Sequence, residues 1–136
     1  MEANAPTPES VAEAFLRAIN RHDLDALIAL MSSGHCFTDG LGNRTIGLEK
    51  LRAAWGAYFR MVPDYSLAID ETLVSGPVVV LLGLAQGTYS PDGKLLDQNR
   101  WQTPVALRAF VEDGLVAEWR VYADNEPIRQ VIAKAQ

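Results

Sequence analysis

The segment that most constrains this fold is a predicted β-hairpin near the C-terminus. Glu112-Asp113-Gly114 separates two runs rich in β-branched and aromatic residues, which is typical of a hairpin. A two-residue loop would place Arg108 opposite Trp119, whereas a three-residue loop would place Arg108 opposite Glu118. We predict the three-residue loop, because it separates apolar from charged side chains. The predicted apolar face comprises Val105, Leu107, Ala109, Leu115, Ala117, Trp119 and Val121.

Asp124 follows the last apolar residue of this hairpin, Ala123. A carboxylate at the lip of an apolar sheet face is a candidate acid/base group, and a solvated acid at a strand end is an equal alternative. Strict alternation would turn Asp124 away from the Trp119 face, so a functional role requires a twist or bulge. Asn125 and Pro127 predict a helix start directly afterwards.

Two segments of the chain resemble a known superfamily. Residues 114–124, Gly-Leu-Val-Ala-Glu-Trp-Arg-Val-Tyr-Ala-Asp, resemble the last strand of the nuclear transport factor 2-like superfamily. Its members include SnoaL-like polyketide cyclases, limonene-epoxide hydrolases and ketosteroid isomerases. Residues 15–31, which place a short turn with Asp23 between two apolar helices, resemble its opening. The resemblance covers most of the chain from Val11 to Val131.

The resemblance implies an α+β fold of the ketosteroid isomerase-like or cystatin-like type. Three N-terminal helices would pack on a curved, mixed or mostly antiparallel sheet and enclose an apolar, cone-shaped cavity. We expect a single SnoaL-like domain over residues 8–136, since neither a repeat nor a linker interrupts it. Residues 1–7 are polar and proline-containing, and we expect a disordered tail there.

The resemblance also implies site residues. Acids matching Asp124 are catalytic in the cyclases and the epoxide hydrolases, and an acid matching Asp39 shuttles the proton in ketosteroid isomerases. Most of the remaining apparatus is absent. Phe15 stands where the isomerase has its tyrosine, Ala106 where it has a second acid, and Leu82-Gly83-Leu84 where the epoxide hydrolase has an arginine and an aspartate. Neither of these two reactions is therefore predicted.

The third predicted helix, Leu48–Met61, supplies aromatic side chains to the expected cavity. Simple core packing is the alternative for its tryptophan and phenylalanine, whereas a buried Tyr58 hydroxyl needs a polar partner. A structural role similarly competes with substrate binding for His35. The full predicted substrate-binding set is Phe15, His35, Trp55, Tyr58, Phe59, Trp101 and Trp119.

Two strand features predict the surroundings of the sheet. The run Val78–Leu84 is too continuously apolar for a strand with one solvated face. A partner subunit is the simplest cover in a small domain, so we predict a homodimer. Pro104 lies within a long predicted strand, Leu96–Val111, and predicts a bulge or bend there.

Composition excludes several classes of partner. A net charge of -5 and a pI near 4.9 argue against nucleic acid or an anionic membrane. The chain has neither a signal peptide nor an apolar run approaching the ~20 residues of a membrane helix, so we expect a cytoplasmic protein. Two histidines and one cysteine, without a phosphate-binding loop or a nucleophile elbow, predict neither a metal nor a cofactor.

These features predict a SnoaL-like, cofactor-independent enzyme that isomerises, cyclises or hydrolyses a small hydrophobic ligand. Asp124 would be its principal acid/base group and Asp39 its partner, because neighbouring carboxylates beside apolar walls cannot both ionise without cost. We expect the two to face one another at the cavity mouth. The alternative is a non-catalytic protein that binds a hydrophobic ligand or forms a dimeric scaffold. An accessory subunit of a larger enzyme is a third interpretation.

Overall fold

The computed structural model describes residues 6–135, in which helices pack on one face of a six-stranded sheet. The helices are α1 (Pro8–Arg21), α2 (Leu24–Ala29), α3 (Leu48–Met61) and the C-terminal α4 (Glu126–Ala135). The strands are β1 (Met31–Thr38), β2 (Arg44–Ile46), β3 (Ser66–Ser75), β4 (Val78–Thr88), β5 (Arg100–Glu112) and β6 (Leu115–Ala123). Their order in the sheet is β2-β1-β6-β5-β4-β3. Only the β1–β6 pair is parallel within this described sheet. The predicted α+β fold with three N-terminal helices is confirmed.

Local sequence signals begin and end the first two helices. Thr7 and Ser10 form a reciprocal capping box, in which each side-chain oxygen accepts a hydrogen bond from the other residue's backbone N–H. His22 adopts a left-handed conformation and ends α1, and Asp23 then caps α2 by accepting from the backbone N–H of Ala26. Of the predicted tail, residues 1–5 lie outside the described residues, while Thr7 belongs to the α1 cap.

The core lies between α1 and the inner face of the sheet. Phe15 and Ile19 on α1 are completely buried, and they meet strand residues such as Leu81, Leu107 and Trp119. Alternate residues of β4 and β5 point into this core, as their buried positions show. None of the helices within residues 6–135 is long and apolar enough to cross a membrane.

The β5–β6 hairpin has a two-residue loop, so the predicted three-residue loop is wrong. Asp113 and Gly114 both have positive φ, 52° and 76°, which suits a tight hairpin turn. Glu112 consequently pairs with Leu115. The two-residue loop is favoured because its twist matches that of the flanking strands. Apolar and charged side chains are instead separated onto opposite faces further along the strands.

A bulge in the hairpin completes the separation of faces. Val111 pairs with Val116, but Phe110 pairs with Glu118, which leaves Ala117 as an extra residue on β6. Beyond the bulge Trp119 pairs with Ala109, a pairing that neither the two-residue nor the three-residue loop predicted. The inward residues of β6 are therefore Val116, Trp119, Val121 and Ala123, and the predicted inward positions Leu115 and Ala117 are only half-buried.

Pro104 causes no bulge, so that part of the prediction for β5 is wrong. Pairing of β4 with β5 runs unbroken past Leu84 and Pro104. Pairing of β5 with β6 ends at Val105 and Ala123, so Pro104 lies where β6 no longer flanks β5. A sheet tolerates a missing N–H donor at such a position.

Candidate ligand-binding cavity

The helices and the inner face of the sheet line a cavity of about 770 Å³ that is partly open to solvent. This volume falls within the roughly 300–1,000 Å³ typical of small-molecule sites. Aliphatic side chains from α3, β5, β6 and α4 contribute to its walls, among them Leu51, Val105, Val121 and Ile128. Its aromatic walls are Phe37, Trp55, Tyr58, Tyr65, Trp101 and Trp119.

The alternation of side chains along the strands determines which sheet residues line the cavity. Trp101, Thr103 and Val105 occupy every second position of β5, and all three are buried and line the cavity. The buried Trp119 and the half-buried Val121 line the cavity from β6. Because the bulge shifts the alternation of β6 by one residue, it is the bulge that directs this second pair inward.

The spacing of residues along α3 determines which of them form the opposite wall of the cavity. Leu51, Trp55 and Tyr58 recur at intervals of three and four residues on α3, so they share one face and all line the cavity. Phe37 of β1 meets Trp55 edge-on, with ring centroids 5.5 Å apart. Of the aromatic residues predicted for substrate binding, the structure brings Trp55, Tyr58, Trp101 and Trp119 together around the cavity.

A second tyrosine, Tyr65, joins this wall. It follows α3 closely, and its ring meets that of Tyr58 in a T-shaped contact with centroids 4.9 Å apart. Burial raises the pKa of both phenols above the ordinary value of 10, and the neighbouring Tyr58 raises that of Tyr65 further. Both hydroxyls are therefore neutral at physiological pH. Tyr65 is not among the residues predicted to bind a substrate.

Three of the predicted binding residues lie in the core rather than in the cavity wall. Phe15 is fully buried between His35 and Trp119, with its ring centroid 4.5 Å from that of the tryptophan. Phe59 stacks on His22 at 4.2 Å. Since packing partners surround these rings, Phe15, His35 and Phe59 contribute to the core and do not line the cavity.

His35 is a neutral structural histidine. Its Nδ1 lies 2.6 Å from the carbonyl oxygen of Val116. A carbonyl only accepts, so Nδ1 carries the proton and donates it. Burial lowers the pKa of His35, and this effect exceeds the opposing ones of the Val116 hydrogen bond and the Glu118 charge. Within residues 6–135 its Nε2 is buried without a hydrogen-bond partner.

Asp39 and Asp124 both line the cavity at its mouth. The Oδ1 atom of Asp39 accepts from the backbone N–H groups of Leu41 and Asn43, each at 2.9 Å, which organises the turn after β1. The Oδ1 atom of Asp124 accepts from the backbone N–H of Glu126 at 2.9 Å and so supports the start of α4. Each carboxylate therefore has a structural role in its own segment.

The segments that carry the two acids are in contact. A Cβ atom added at Gly40 would lie 3.2 Å from the carbonyl oxygen of Ala123 and 3.1 Å from the side-chain nitrogen of Asn125. Asp124 reaches the mouth because β6 ends at Ala123 and the chain then turns into α4. The carbonyl oxygen of Asp124 is fixed there by Thr103, whose hydroxyl donates to it at 2.9 Å.

The mouth is acidic. Among the cavity-lining residues of the described chain, the ionisable ones besides tyrosine are Asp39, Asp124, Glu126 and Arg129. Arg129 is paired with Glu126 at 2.9 Å, and both are well exposed. Within residues 6–135 no group of three or more His, Cys, Asp or Glu side chains is arranged to hold a metal ion.

Comparisons with known proteins agree with this architecture. The profile of the SnoaL-like domain family matches residues 12–119. No curated protein matches the chain significantly. A candidate SnoaL-like polyketide cyclase from Shewanella denitrificans OS-217 superposes with a TM-score of 0.81 at 17% identity, over 95% of this chain and 98% of that one.

Two further solved structures share the fold. An epoxide hydrolase of M. tuberculosis, similar to limonene-epoxide hydrolases, has a TM-score of 0.75 at 20% identity, over 93% of this chain and 90% of that one. A ketosteroid isomerase-like protein from Catenulispora acidiphila DSM 44928, in complex with trimethylamine, has a TM-score of 0.75 at 16% identity, over 90% of each chain. At these identities the similarity concerns the fold alone.

Proposed function

We propose that this chain, which belongs to the SnoaL-like domain family, binds a small, largely apolar molecule in its cavity. The observation that carries this proposal is the cavity of about 770 Å³ with aromatic walls from both helix and sheet. The cavity is partly open to solvent, and a concave, mainly apolar surface of this size is the usual form of a small-molecule site. A structural neighbour that holds trimethylamine gives further support for a small-molecule site in this fold.

A neutral dye tests the proposal. Nile red is apolar, and its fluorescence rises when it leaves water, so a titration reports its occupancy of the cavity. Val121→Trp fills part of the cavity from β6, and we expect at least tenfold weaker binding. Tyr122→Trp is the matched control, because Tyr122 is the next residue on the same strand and is 48% exposed. Equal affinities of the two variants, or no binding by the original protein, would contradict the proposal.

A second proposal is that the bound molecule undergoes cofactor-independent acid/base chemistry, such as isomerisation, cyclisation or hydrolysis. Asp124 is the principal acid/base group in this proposal, and Asp39 is its partner. The supporting observation is that both carboxylates lie at the cavity mouth on segments that touch through Gly40 and Ala123. General acid/base catalysis needs a group within hydrogen-bond reach of the transferred proton, and two carboxylates at one mouth would divide the acid and base roles.

Carbon-detected NMR titration of the two carboxyl carbons separates catalysis from binding alone. If the pair acts as acid and base, one carboxyl group keeps its proton well above pH 4 and its titration depends on the other residue. Asp39→Asn and Asp124→Asn then each change the titration of the remaining acid. If both acids titrate independently near pH 4, about the ordinary value for aspartate, the catalytic proposal fails and the binding proposal remains.

We also propose that the chain forms a homodimer through the outer face of its sheet. On β4 the residues alternate: Val79 and Leu81 are buried inside, while Val80, Leu82 and Leu84 are half-buried on the outer face. Leu73 of β3 adds a side chain that is 52% exposed. A second copy of this face would cover the patch, which a stable homodimer does over roughly 2,000 Å² or more.

Sedimentation equilibrium at micromolar concentration measures the association. We expect a mass twice that of the 14.9 kDa chain. Leu82→Glu would place a charge in the interface, and we expect it to produce monomers. Glu13→Lys on the exposed side of α1 tests a charge change on the opposite side of the sheet and should leave the dimer intact. A monomer mass for the original protein would contradict the dimer.

A further inference from the structure

The cavity wall contains polar groups that the fold leaves unpaired. Neither the hydroxyl of Tyr58 nor that of Tyr65 forms a hydrogen bond with another residue in the described part of the chain. The indole Nε1 of Trp101 is buried and also has no partner among residues 6–135. Buried polar groups in proteins are nearly always hydrogen-bonded, so the unpaired Trp101 Nε1 needs an explanation. The half-buried Tyr58 and Tyr65 place two more hydroxyls without a protein partner on the same wall.

These three residues form a contiguous cluster. Tyr58 and Tyr65 meet at 4.9 Å between ring centroids, and Tyr65 lies 6.2 Å from Trp101. All three line the cavity, and Trp101 is only 7% exposed. We call Tyr58, Tyr65 and Trp101 the donor cluster. It is separate from the exposed acids of the mouth, whose oxygens accept from backbone N–H groups of their own segments.

The chemistry of the donor cluster selects its complement. An indole N–H only donates, whereas a neutral phenol hydroxyl can donate its proton and can also accept. An oxygen acceptor is the one partner that all three groups can share. Because burial raises the pKa of both tyrosines, they stay protonated at any physiological pH. A ligand that presents an oxygen acceptor would satisfy these donors, whereas a pure hydrocarbon would bury them unpaired at a cost in affinity.

The charge of the ligand is limited by the mouth. The ionisable groups there comprise three acids, Asp39, Asp124 and Glu126, and one base, Arg129, which is already paired. An anionic ligand such as a carboxylate would be repelled, and the cavity wall within the described chain offers no other cation to pair with it. The acceptor oxygen is consequently expected on a neutral group.

We propose that Tyr58 and Tyr65 are specificity-determining residues that donate hydrogen bonds to a neutral oxygen acceptor, such as a ketone or ether oxygen, on an otherwise apolar ligand. This inference rests on the proposed binding function of the cavity and adds the chemistry of the ligand. It assigns a role to Tyr65, which comes from the start of the β3 segment and not from the acid pair. The two tyrosines act on the ligand's oxygen whether or not any reaction follows.

Three probes with one carbon skeleton test this inference. 1-Tetralone carries a ketone, tetralin lacks it, and 1-aminotetralin carries a cationic amine. Their affinities are measured by protein-observed NMR, using the indole N–H signals of Trp55, Trp101 and Trp119 as reporters. We expect 1-tetralone to bind about threefold to tenfold more tightly than tetralin, as a net hydrogen bond would give. The amine should bind more weakly than the ketone.

Phenylalanine variants identify the donors. Tyr58→Phe and Tyr65→Phe remove only the hydroxyls, and in the double variant the preference for the ketone should vanish while tetralin affinity stays within about twofold. Tyr122→Phe on the outer face is the control and should change neither affinity. A direct readout is the carbonyl ¹³C signal of labelled 1-tetralone, which should lie further downfield when the ketone is bound to the original protein than when it is bound to the double variant. Thermal unfolding of each variant checks that it is folded.

The possible failures are distinguishable. If tetralin and 1-tetralone bind equally, or if the ketone preference survives in every folded tyrosine variant, the donor role is refuted and the binding function stands. If the amine binds most tightly, the cavity recognises a cation through its aromatic rings, and the inference is again wrong. If no probe binds at the reporter indoles, the proposed binding function itself fails.

Discussion

Replacement of Trp119 by alanine tests how the bulged hairpin contributes to stability. The Trp119 indole is 1% exposed and packs on Phe15 at 4.5 Å between ring centroids. Burial of on the order of 200 Å² at about 25 cal/mol per Å² would contribute about 5 kcal/mol, as an upper bound. One edge of the ring borders the open cavity, so part of this area contacts no packed atoms. We expect a loss of about 3–5 kcal/mol in the free energy of unfolding.

Tyr122→Ala is the matched control on the same strand. Tyr122 is 48% exposed, and its principal partner is the guanidinium of Arg120, 4.9 Å from the ring centroid. The loss should be well below that of Trp119→Ala, because the Tyr122 ring lies on the outer face of the sheet and borders no part of the core. Urea unfolding followed by far-UV circular dichroism measures both variants without relying on tryptophan fluorescence. A loss below about 1 kcal/mol for Trp119→Ala would mean that the indole is exposed and that the bulged register is wrong.

Two further predictions concern a close backbone approach and a buried histidine. Gly83→Ala would place a Cβ atom 1.9 Å from the carbonyl oxygen of Ala68. We expect it to lower the free energy of unfolding in urea by about 2–3 kcal/mol or more. Gly34 has open space around it, so Gly34→Ala should change this free energy by less than about 1 kcal/mol. Burial lowers the pKa of His35 in the folded state. Below the unfolded pKa of about 6.5 the unfolded chain therefore binds more protons than the folded one, and the free energy of unfolding falls as the pH falls. The slope is no more than about 1.4 kcal/mol per pH unit. His35→Phe should remove this part of the pH dependence and His22→Gln should not; an unchanged profile in His35→Phe would refute it.

Much of the fold could be predicted because its signals are local or periodic. The bounds of α3 follow from a regular apolar spacing that begins after Gly47 and ends before Pro63. Asp23 marks the start of α2 as a capping residue. The family resemblance then supplied what local patterns cannot, the packing of three N-terminal helices on a curved sheet. The element types were consequently predictable even where individual ends shifted.

The hairpin shows what the sequence pattern could not determine. Asp113-Gly114 and strict face alternation gave conflicting loop lengths, and the fold resolves the conflict with a bulge at Ala117. The bulge does not require a particular residue type at this position, so the alternation of apolar and polar residues could not show where it lies. The same bulge decides that Trp119 and Val121 face the cavity.

The sequence predicted which types of residue line the candidate site, but not which individual residues belong to it. Phe15, His35 and Phe59 are apolar or aromatic like the wall residues, and only tertiary packing separates core positions from cavity positions. Tyr65 lacked any distinguishing pattern, because its role depends on contact with Tyr58 from another element. Long-range contacts of this kind leave little trace in a single sequence.

The measurement that tests the central claim most directly is a crystal structure of the protein soaked with 1-tetralone. The account predicts ligand density inside the cavity, between Trp55 on the helix side and Trp119 on the sheet side, with little movement of either indole. A cavity filled by its own side chains, or ligand bound only on the outer face of the sheet, would contradict the claim that this chain binds a small apolar molecule.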